Sequence, residues 1–142
     1  MLALDVNVLI IAHREDQDGH TLMREWLKRV LAADEPFAIP EIVFSGFIRI
    51  VTNPRVYNPP STMEQALGFC EQLRGRPNFV GLEPGPSHWA VFTRLCMLPG
   101  VRGPLVADAY LAAIAIESGC EWASTDGDFA RFPGLRWRHP LA

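Results

Sequence analysis

The chain of 142 residues has little lysine, little cysteine and no long hydrophobic run, and each shortage excludes a class of protein. Lys28 is the only lysine, and the other basic residues are all arginines. The three cysteines form no Cys-x-x-Cys pair, which disfavours a zinc site. Charge, glycine or proline interrupts every apolar stretch before it is long enough to cross a membrane, so no membrane protein is predicted.

Positive charge is also scarce, because the net charge is −3 and the isoelectric point about 5.8. The overall charge therefore gives no support for nucleic-acid binding, which would need a local basic patch. The amino-terminal residues contain no basic segment and reach a carboxylate at Asp5, so the sequence predicts no signal peptide. We therefore expect a cytoplasmic protein.

What the chain does have is an ordinary globular composition, with 49% hydrophobic and 20% charged residues. Its length suits one domain spanning residues 1–142. Short apolar runs, such as residues 2–6 and 121–124, alternate with segments of helical spacing, and glycine and proline separate them. This alternation predicts the α/β class, with a three-layer α/β/α sandwich around a mostly parallel sheet.

Four carboxylates stand where such a fold would bring them together. Asp5 lies near the end of the first predicted strand, and Asp126 directly follows another. Parallel strands present their carboxyl ends at one edge of the sheet, where ligands bind. Asp108 is predicted in the first turn of the helix over residues 105–118, and Glu41 begins another helix.

Converging carboxylates repel one another, and neither Asp5 nor Asp108 has a basic neighbour in the sequence. A divalent cation would relieve that repulsion, and ligands that are all oxygen favour Mg²⁺ or Mn²⁺ over zinc. Such ions commonly serve phosphoryl chemistry. Each acid also has a purely structural alternative as a helix cap, a first-turn acid or a turn residue, as in the dipeptide Asp126-Gly127.

Five segments, taken in order, resemble the PIN-domain ribonucleases, and specifically the VapC-type toxins of bacterial toxin–antitoxin pairs. They are residues 4–9 (LDVNVL), 47–54 (FIRIVTNP), 106–113 (VADAYLAA), 124–129 (STDGDF) and 131–137 (RFPGLRW). The resemblance covers essentially the whole chain. It implies a metal-dependent endoribonuclease that cuts structured RNA, often tRNA or rRNA. It also implies a homodimer that a small VapB-type antitoxin holds inactive.

By the same resemblance, three aspartates match the family's acidic positions and would be metal ligands, namely Asp5, Asp108 and Asp126. Four further residues resemble groups around the ligands: Asp128 as an additional acid, and Asn7 with the hydroxyls of Ser124 and Thr125 as groups that orient the carboxylates.

One position departs from the family pattern. Many members carry an acid three residues before the arginine of the middle segment, Arg49, and this chain has Gly46 there. We expect Glu41 to take the place of the missing acid, as a fourth catalytic carboxylate. The alternative is a site of three aspartates completed by water.

Several arginines are candidate contacts to the RNA backbone. After Asp128 the chain contains three arginines and no acid, a local excess of positive charge. The candidates are Arg49, Arg55, Arg131, Arg136 and Arg138. For each of them, a surface ion pair is the structural alternative.

Other functions remain open to different degrees. A phosphoaspartate receiver needs a lysine near its pocket, but Lys28 lies within an amphipathic helical segment. A haloacid-dehalogenase-type phosphatase needs Asp-x-Asp, and residue 7 is Asn7. Both are disfavoured. A PIN nuclease of RNA maturation would have the same site as a toxin, and the glycine at position 46 keeps open a PIN-like module that binds RNA or protein without cutting it.

Overall fold

The computed structural model describes residues 1–142 and contains a single five-stranded sheet. Every pair of neighbouring strands is parallel, and the strand order is β3-β2-β1-β4-β5. The prediction of a mostly parallel sheet is therefore confirmed. The strands are β1 (Leu2–Leu4), β2 (Phe37–Pro40), β3 (Phe79–Leu82), β4 (Glu121–Ala123) and β5 (Arg136–Arg138).

Six helices connect and cover the strands. Helix α1 packs against α2 and α3, and α3 packs against α4. Helices α5 and α6 pack against each other. This arrangement is consistent with the predicted three-layer α/β/α sandwich. The helices are α1 (Val6–His13), α2 (His20–Ala32), α3 (Glu41–Val51), α4 (Met63–Arg74), α5 (His88–Cys96) and α6 (Pro104–Ser118), and a 3₁₀ helix spans Gly127–Arg131.

The strands are short, and their burial explains why they are so apolar. All four residues of β2 are buried, as are Ala3 and Leu4 of β1 and Trp122 and Ala123 of β4. Consecutive side chains of a strand point to opposite faces of the sheet, so buried neighbours mean that both faces are covered. Apolar packing on both faces therefore holds the central strands in place.

Local sequence signals set the ends of the helices next to the site. Pro104 occupies the first position of α6, where its missing N–H costs nothing. Gly119 ends α6 in the left-handed conformation, with φ of 70°. Pro40 fixes an extended backbone directly before α3, so that α3 begins at the carboxyl end of β2.

The direction of strand addition reverses beside β1. The chain builds β1, β2 and β3 outward on one side, then crosses to place β4 and β5 on the other side. Such a reversal leaves a crevice at the carboxyl ends of the two central strands, here β1 and β4. No helix of the structure is both long and apolar enough to span a membrane.

Candidate active site

The first carboxylate of the site belongs to Asp5, the residue that follows β1. Its backbone N–H donates to the carbonyl of Ala123 at 3.0 Å, which extends the pairing of β1 with β4 by one residue. Its Oδ1 accepts a hydrogen bond of 2.7 Å from the N–H of Val6 and so caps α1. Asp5 is 3% exposed, so this carboxylate is held at the bottom of the crevice.

A polar network orients Asp5 from the end of β4. The hydroxyl of Ser124 donates to Oδ2 of Asp5 at 2.7 Å, and the amide nitrogen of Asn7 donates to the same oxygen at 3.2 Å and to the Ser124 oxygen at 3.0 Å. Asn7 also accepts the backbone N–H of Thr125 at 3.0 Å. Since Ser124 is fully buried, the network fixes the rotamers of both acid and amide.

Three further carboxylates gather above this network. One oxygen from each of Asp108, Asp126 and Asp128 lies within 4.8 Å of the other two. The Ser124 hydroxyl accepts the backbone N–H of Asp126 at 3.0 Å, and Oδ1 of Asp126 accepts that of Asp128 at 2.9 Å. One serine thus connects the buried Asp5 to the acids near the surface.

The electrostatics of the site follow from burial and mutual repulsion. The pKa of Asp108 is raised to about 6, mainly by burial and in addition by the negative charges of Asp126, Asp5 and Asp128. The nearby Arg131 acts in the opposite direction and lowers the pKa. The pKa of Asp5 is also raised, mainly by burial, against the hydrogen bonds from Ser124 and Val6 that stabilise its charged form.

Four polar residues of the site line one cavity of about 520 Å³ between α3 and α6, namely Asp5, Asn7, Asp108 and Asp126. Asp5 and Asp126 follow the ends of β1 and β4, Asn7 lies in the first turn of α1, and Asp108 comes from α6. Residues from α3 line the other side, including Gly46 and Arg49. The volume lies within the range of about 300–1,000 Å³ typical of small-molecule sites.

The structure brings together most of the predicted site residues, with three corrections. Asp108 is the fifth residue of α6 rather than a first-turn acid, because α6 begins at Pro104. Thr125 joins the network through its backbone N–H and not through its hydroxyl. Asp128 belongs to the tight group of acids, whereas Asp5 lines the cavity below that group.

The structure does not bring Glu41 to the acidic cavity. As the first residue of α3 it is exposed and lines a separate depression, shared with Arg74 and Glu83. It does not line the cavity that contains Asp5 and Asp108. The helical offset of five residues from Gly46 turns its side chain to another face of α3.

Of the arginines predicted to contact RNA, some lie at the cavity and others lie away from it. Arg49 lines the cavity, and Arg131 donates to Oδ1 of Asp128 at 3.2 Å. Arg55 is exposed in the turn after α3. Arg136 lies at the opposite end of the sheet, where its guanidinium donates to the carbonyl of Gly119 at 2.6 Å. Position in the fold therefore does not support Arg136 as a residue that contacts a substrate in the cavity.

Arg138 lies near Arg136, and its guanidinium pairs with Glu121 at 2.9 Å. Arg138 therefore forms a surface ion pair, which was the alternative to an RNA contact.

The sequence motifs do not indicate the apolar walls of the cavity. Ile42 and Ile50 on α3 and Leu111 on α6 line it, and Ile42 is 53% exposed. The signal was present in the spacing, because positions 42, 46, 49 and 50 share one face of a helix while positions 43, 44, 47 and 51 are buried on another.

Comparison with known proteins identifies the fold. The family model of the PIN domain matches residues 2–135. The chain belongs to the PIN-domain family. This confirms the resemblance to PIN domains that the five sequence segments indicated.

Relatives of this PIN domain carry VapC names. Ribonuclease VapC43 of Mycobacterium tuberculosis is 45% identical over 141 residues, which cover 99% of this chain and 96% of the relative. Ribonuclease VapC25 of the same species is 41% identical over 140 residues, which cover 99% of each chain.

Solved structures share the fold of this PIN domain at lower identity. One is VapBC2 from Rickettsia felis bound to a DNA fragment from its promoter, with a TM-score of 0.69, 17% identity and 97% of each chain covered. Another is VapC20 of Mycobacterium tuberculosis, described as a toxin that cleaves the sarcin–ricin loop, with a TM-score of 0.69, 12% identity and coverage of 96% and 99%. At these identities the likeness shows the fold alone.

The donor set of this PIN domain fits a hard divalent cation. Three carboxylate oxygens lie within 4.8 Å of one another, and the single ion pair among them, from Arg131 to Asp128, leaves Asp108 and Asp126 without a cationic partner. Oxygen ligands at this spacing suit Mg²⁺ or Mn²⁺. A bound cation would also offset the repulsion that raises the pKa of Asp108.

Proposed function

We propose that this chain is the toxin of a toxin–antitoxin pair and a Mg²⁺- or Mn²⁺-dependent endoribonuclease. The observation that carries the proposal is the meeting of Asp5, Asp108 and Asp126, from three separate elements, in one cavity at the carboxyl ends of β1 and β4. Relatives named as VapC ribonucleases support it, because they are 41–45% identical along nearly the whole chain.

Asp108 and Asp126 would hold the ion, with Asp5 below them in the cavity and Asp128 at the outer edge. The ion, when bound, supplies an activated water and neutralises charge that develops on the phosphodiester. Ser124 and Asn7 hold Asp5 in one rotamer, so this carboxylate is already oriented before the substrate binds. Arg49 is placed to contact a phosphate of the substrate.

The RNA class and the partners are extensions of this proposal. We propose structured RNA, such as tRNA or rRNA, as the substrate, and a structural neighbour described as cleaving the sarcin–ricin loop supports it. Several neighbours are VapBC complexes, which supports a VapB-type antitoxin as the partner. A homodimer is the assembly that the family resemblance implies.

The test uses the purified chain, freed of any partner, with total cellular RNA and either Mg²⁺ or Mn²⁺. Wild type should release a discrete product, and Asp5→Asn should lower the rate by about 100-fold or more, the scale of losing one electrostatic stabiliser. Asp34→Asn is the matched control, because Asp34 is an exposed acid just before the amino end of β2, away from the cavity. Cleavage by Asp5→Asn at the wild-type rate would contradict the assignment.

Two rival functions give different results in companion assays. A PIN-like binding module would show neither a product nor a rise in Tm with Mn²⁺, whereas a carboxylate site gains stability as the ion binds the folded state. A nuclease of RNA maturation would cleave RNA in the tube, but its expression without a partner would not arrest growth.

A further inference from the structure

One face of α3 forms a wall of the cavity, and the middle of that wall has no side chain. Ile42, Gly46, Arg49 and Ile50 follow one another along this face and all line the cavity. Their spacing of i, i+4, i+7 and i+8 places them on one side of the helix. Gly46 therefore leaves a gap between two isoleucines, directly beside the carboxylates.

Gly46 is not required by the backbone. Its φ is not among the positive values in the chain, and a Cβ at this position would meet only Cγ2 of Val6, at 3.8 Å, which is ordinary contact. Glycine within a helix lowers the stability of the helix relative to alanine. What the glycine provides here is therefore space in the cavity rather than a special conformation.

The opposite wall is apolar and comes from α6. Ala107, Tyr110 and Leu111 line the cavity next to Asp108 of the same helix. The cavity thus has an acidic end at Asp5, Asp108 and Asp126 and an apolar cleft that opens over Gly46. The two ends belong to one continuous space of about 520 Å³, so a single ligand can occupy both.

The cleft also carries an unpaired positive charge. The guanidinium of Arg49 is exposed and forms none of the four ion pairs of the chain, which involve Arg14, Lys28, Arg131 and Arg138. A cation without an internal partner, beside a site for phosphodiester hydrolysis, suits a ligand that brings its own phosphate.

We propose that the cleft over Gly46 binds an unstacked nucleobase adjacent to the scissile phosphate, while Arg49 contacts a phosphate of the same strand. This inference rests on the proposed function and specifies its substrate as RNA with a base that can leave its stack. The apolar walls favour the face of a base. The carboxylates at the other end of the same cavity and the unpaired guanidinium of Arg49 favour a nucleotide over an apolar protein segment. Gly46 is then a residue that determines specificity, because a large side chain there would occupy the space of the base.

The experiment measures binding of the four nucleoside 5′-monophosphates and of ribose 5-phosphate to the full chain by calorimetry in Mg²⁺. Ribose 5-phosphate is the matched probe because it has the phosphate and sugar without the base. At least one nucleotide should bind wild type about tenfold more tightly than ribose 5-phosphate, a difference of about 1.4 kcal/mol.

Two variants separate the cleft from the phosphate contact. Gly46→Leu should lower the affinity for that nucleotide to the affinity for ribose 5-phosphate. Arg49→Gln should lower the affinities for the nucleotide and for ribose 5-phosphate by a similar factor. Gly68→Leu is the control, because Gly68 is an exposed glycine within α4 with nothing within 4 Å of its Cβ position. It should leave all affinities unchanged.

The same measurements can overturn the proposal. Three results would each exclude a base in the cleft. They are equal binding of ribose 5-phosphate and all four nucleotides, no binding of any nucleotide, and unchanged nucleotide binding by Gly46→Leu. The cleavage assay with Asp5→Asn keeps the two proposals apart. Cleavage that depends on Asp5 without a base preference would reject only the cleft, whereas a base preference without cleavage would reject only the nuclease.

Discussion

The hydroxyl of Ser124 donates a 2.7 Å hydrogen bond to Oδ2 of Asp5, and this contact joins the ends of β1 and β4 at the bottom of the acidic cavity. The same oxygen of Ser124 accepts hydrogen bonds from Asn7 and from the backbone N–H of Asp126. One buried serine therefore sets the positions of two carboxylates that lie 121 residues apart in the sequence.

Replacing Ser124 tests this relationship. Ser124→Ala should lower the free energy of unfolding by about 1–3 kcal/mol, because it leaves buried polar groups unpaired. It should also weaken Mn²⁺ binding by about tenfold, since Asp5 and Asp126 lose the group that orients them. Urea unfolding and calorimetry measure the two effects. Ser87→Ala, at an exposed serine whose side chain makes no capping bond, is the control and should change neither.

The raised pKa of Asp108 predicts how the stability of the metal-free chain depends on pH. Its pKa is about 6 in the folded chain against an ordinary value of 3.8. The folded state therefore binds the proton more tightly than the unfolded state. The resulting stability is fully present below about pH 4 and is lost as pH rises through about 6.

Urea unfolding in EDTA at several pH values measures this effect. The loss from Asp108 should be about 1 kcal/mol, because partial exposure screens the charges. Asp108→Asn should flatten the fall without abolishing it, since the pKa of Asp5 is raised as well. A free energy of unfolding that rises over this pH range in wild type would contradict the assignment.

Asp128 is expected to contribute less to metal binding than the acid beside it. Asp128 is exposed and already paired with Arg131, whereas Asp108 has no cationic partner. Asp128→Asn should weaken Mn²⁺ binding by about tenfold, and Asp108→Asn should weaken it by about 100-fold or more. Calorimetric titration at pH 7.5, about 1.5 units above the pKa of Asp108, measures both losses. Equal losses would show that Asp128 is as direct a ligand as Asp108.

Glu41 should be dispensable. It lines a depression with Arg74 and Glu83 and not the acidic cavity. Glu41→Gln should therefore leave both the Mn²⁺ affinity and the rate of RNA cleavage within about twofold of wild type. A loss comparable to that of Asp108→Asn would mean that Glu41 reaches the ion in the bound state. The conservative change keeps the first position of α3 polar, so helix formation is not in question.

Local chemistry explains why so much of the site could be predicted from the sequence. Asp5 and Asp126 each follow a short apolar run, and parallel strands must end at a shared edge. Asp108 stands near the start of α6, an apolar helix in which an acid is uncommon unless it is paired or binds a cation. The order of these signals along the chain also predicted the PIN fold, which the family match over residues 2–135 confirms.

Other features depend on rotations about helix axes and on distances across the sheet, which a pattern of residues does not contain. Glu41 and Gly46 lie on the same helix, but a turn of about 100° per residue directs them to different depressions. Arg131 and Arg136 are five residues apart, but Arg131 ends the 3₁₀ helix beside Asp128, whereas Arg136 begins β5 at the opposite end of the sheet.

The sequence by itself determined which residues are acidic, which segments are strands and helices, and to which family the chain belongs, because these depend on composition, periodicity and order. Only the tertiary structure decided that Asp128 joins Asp108 and Asp126, that Ser124 connects them to Asp5, and that Gly46 opens a cleft beside them. The reason is physical: a site is formed by side chains from separate elements, and their distances are set by packing of the whole core rather than by any one segment.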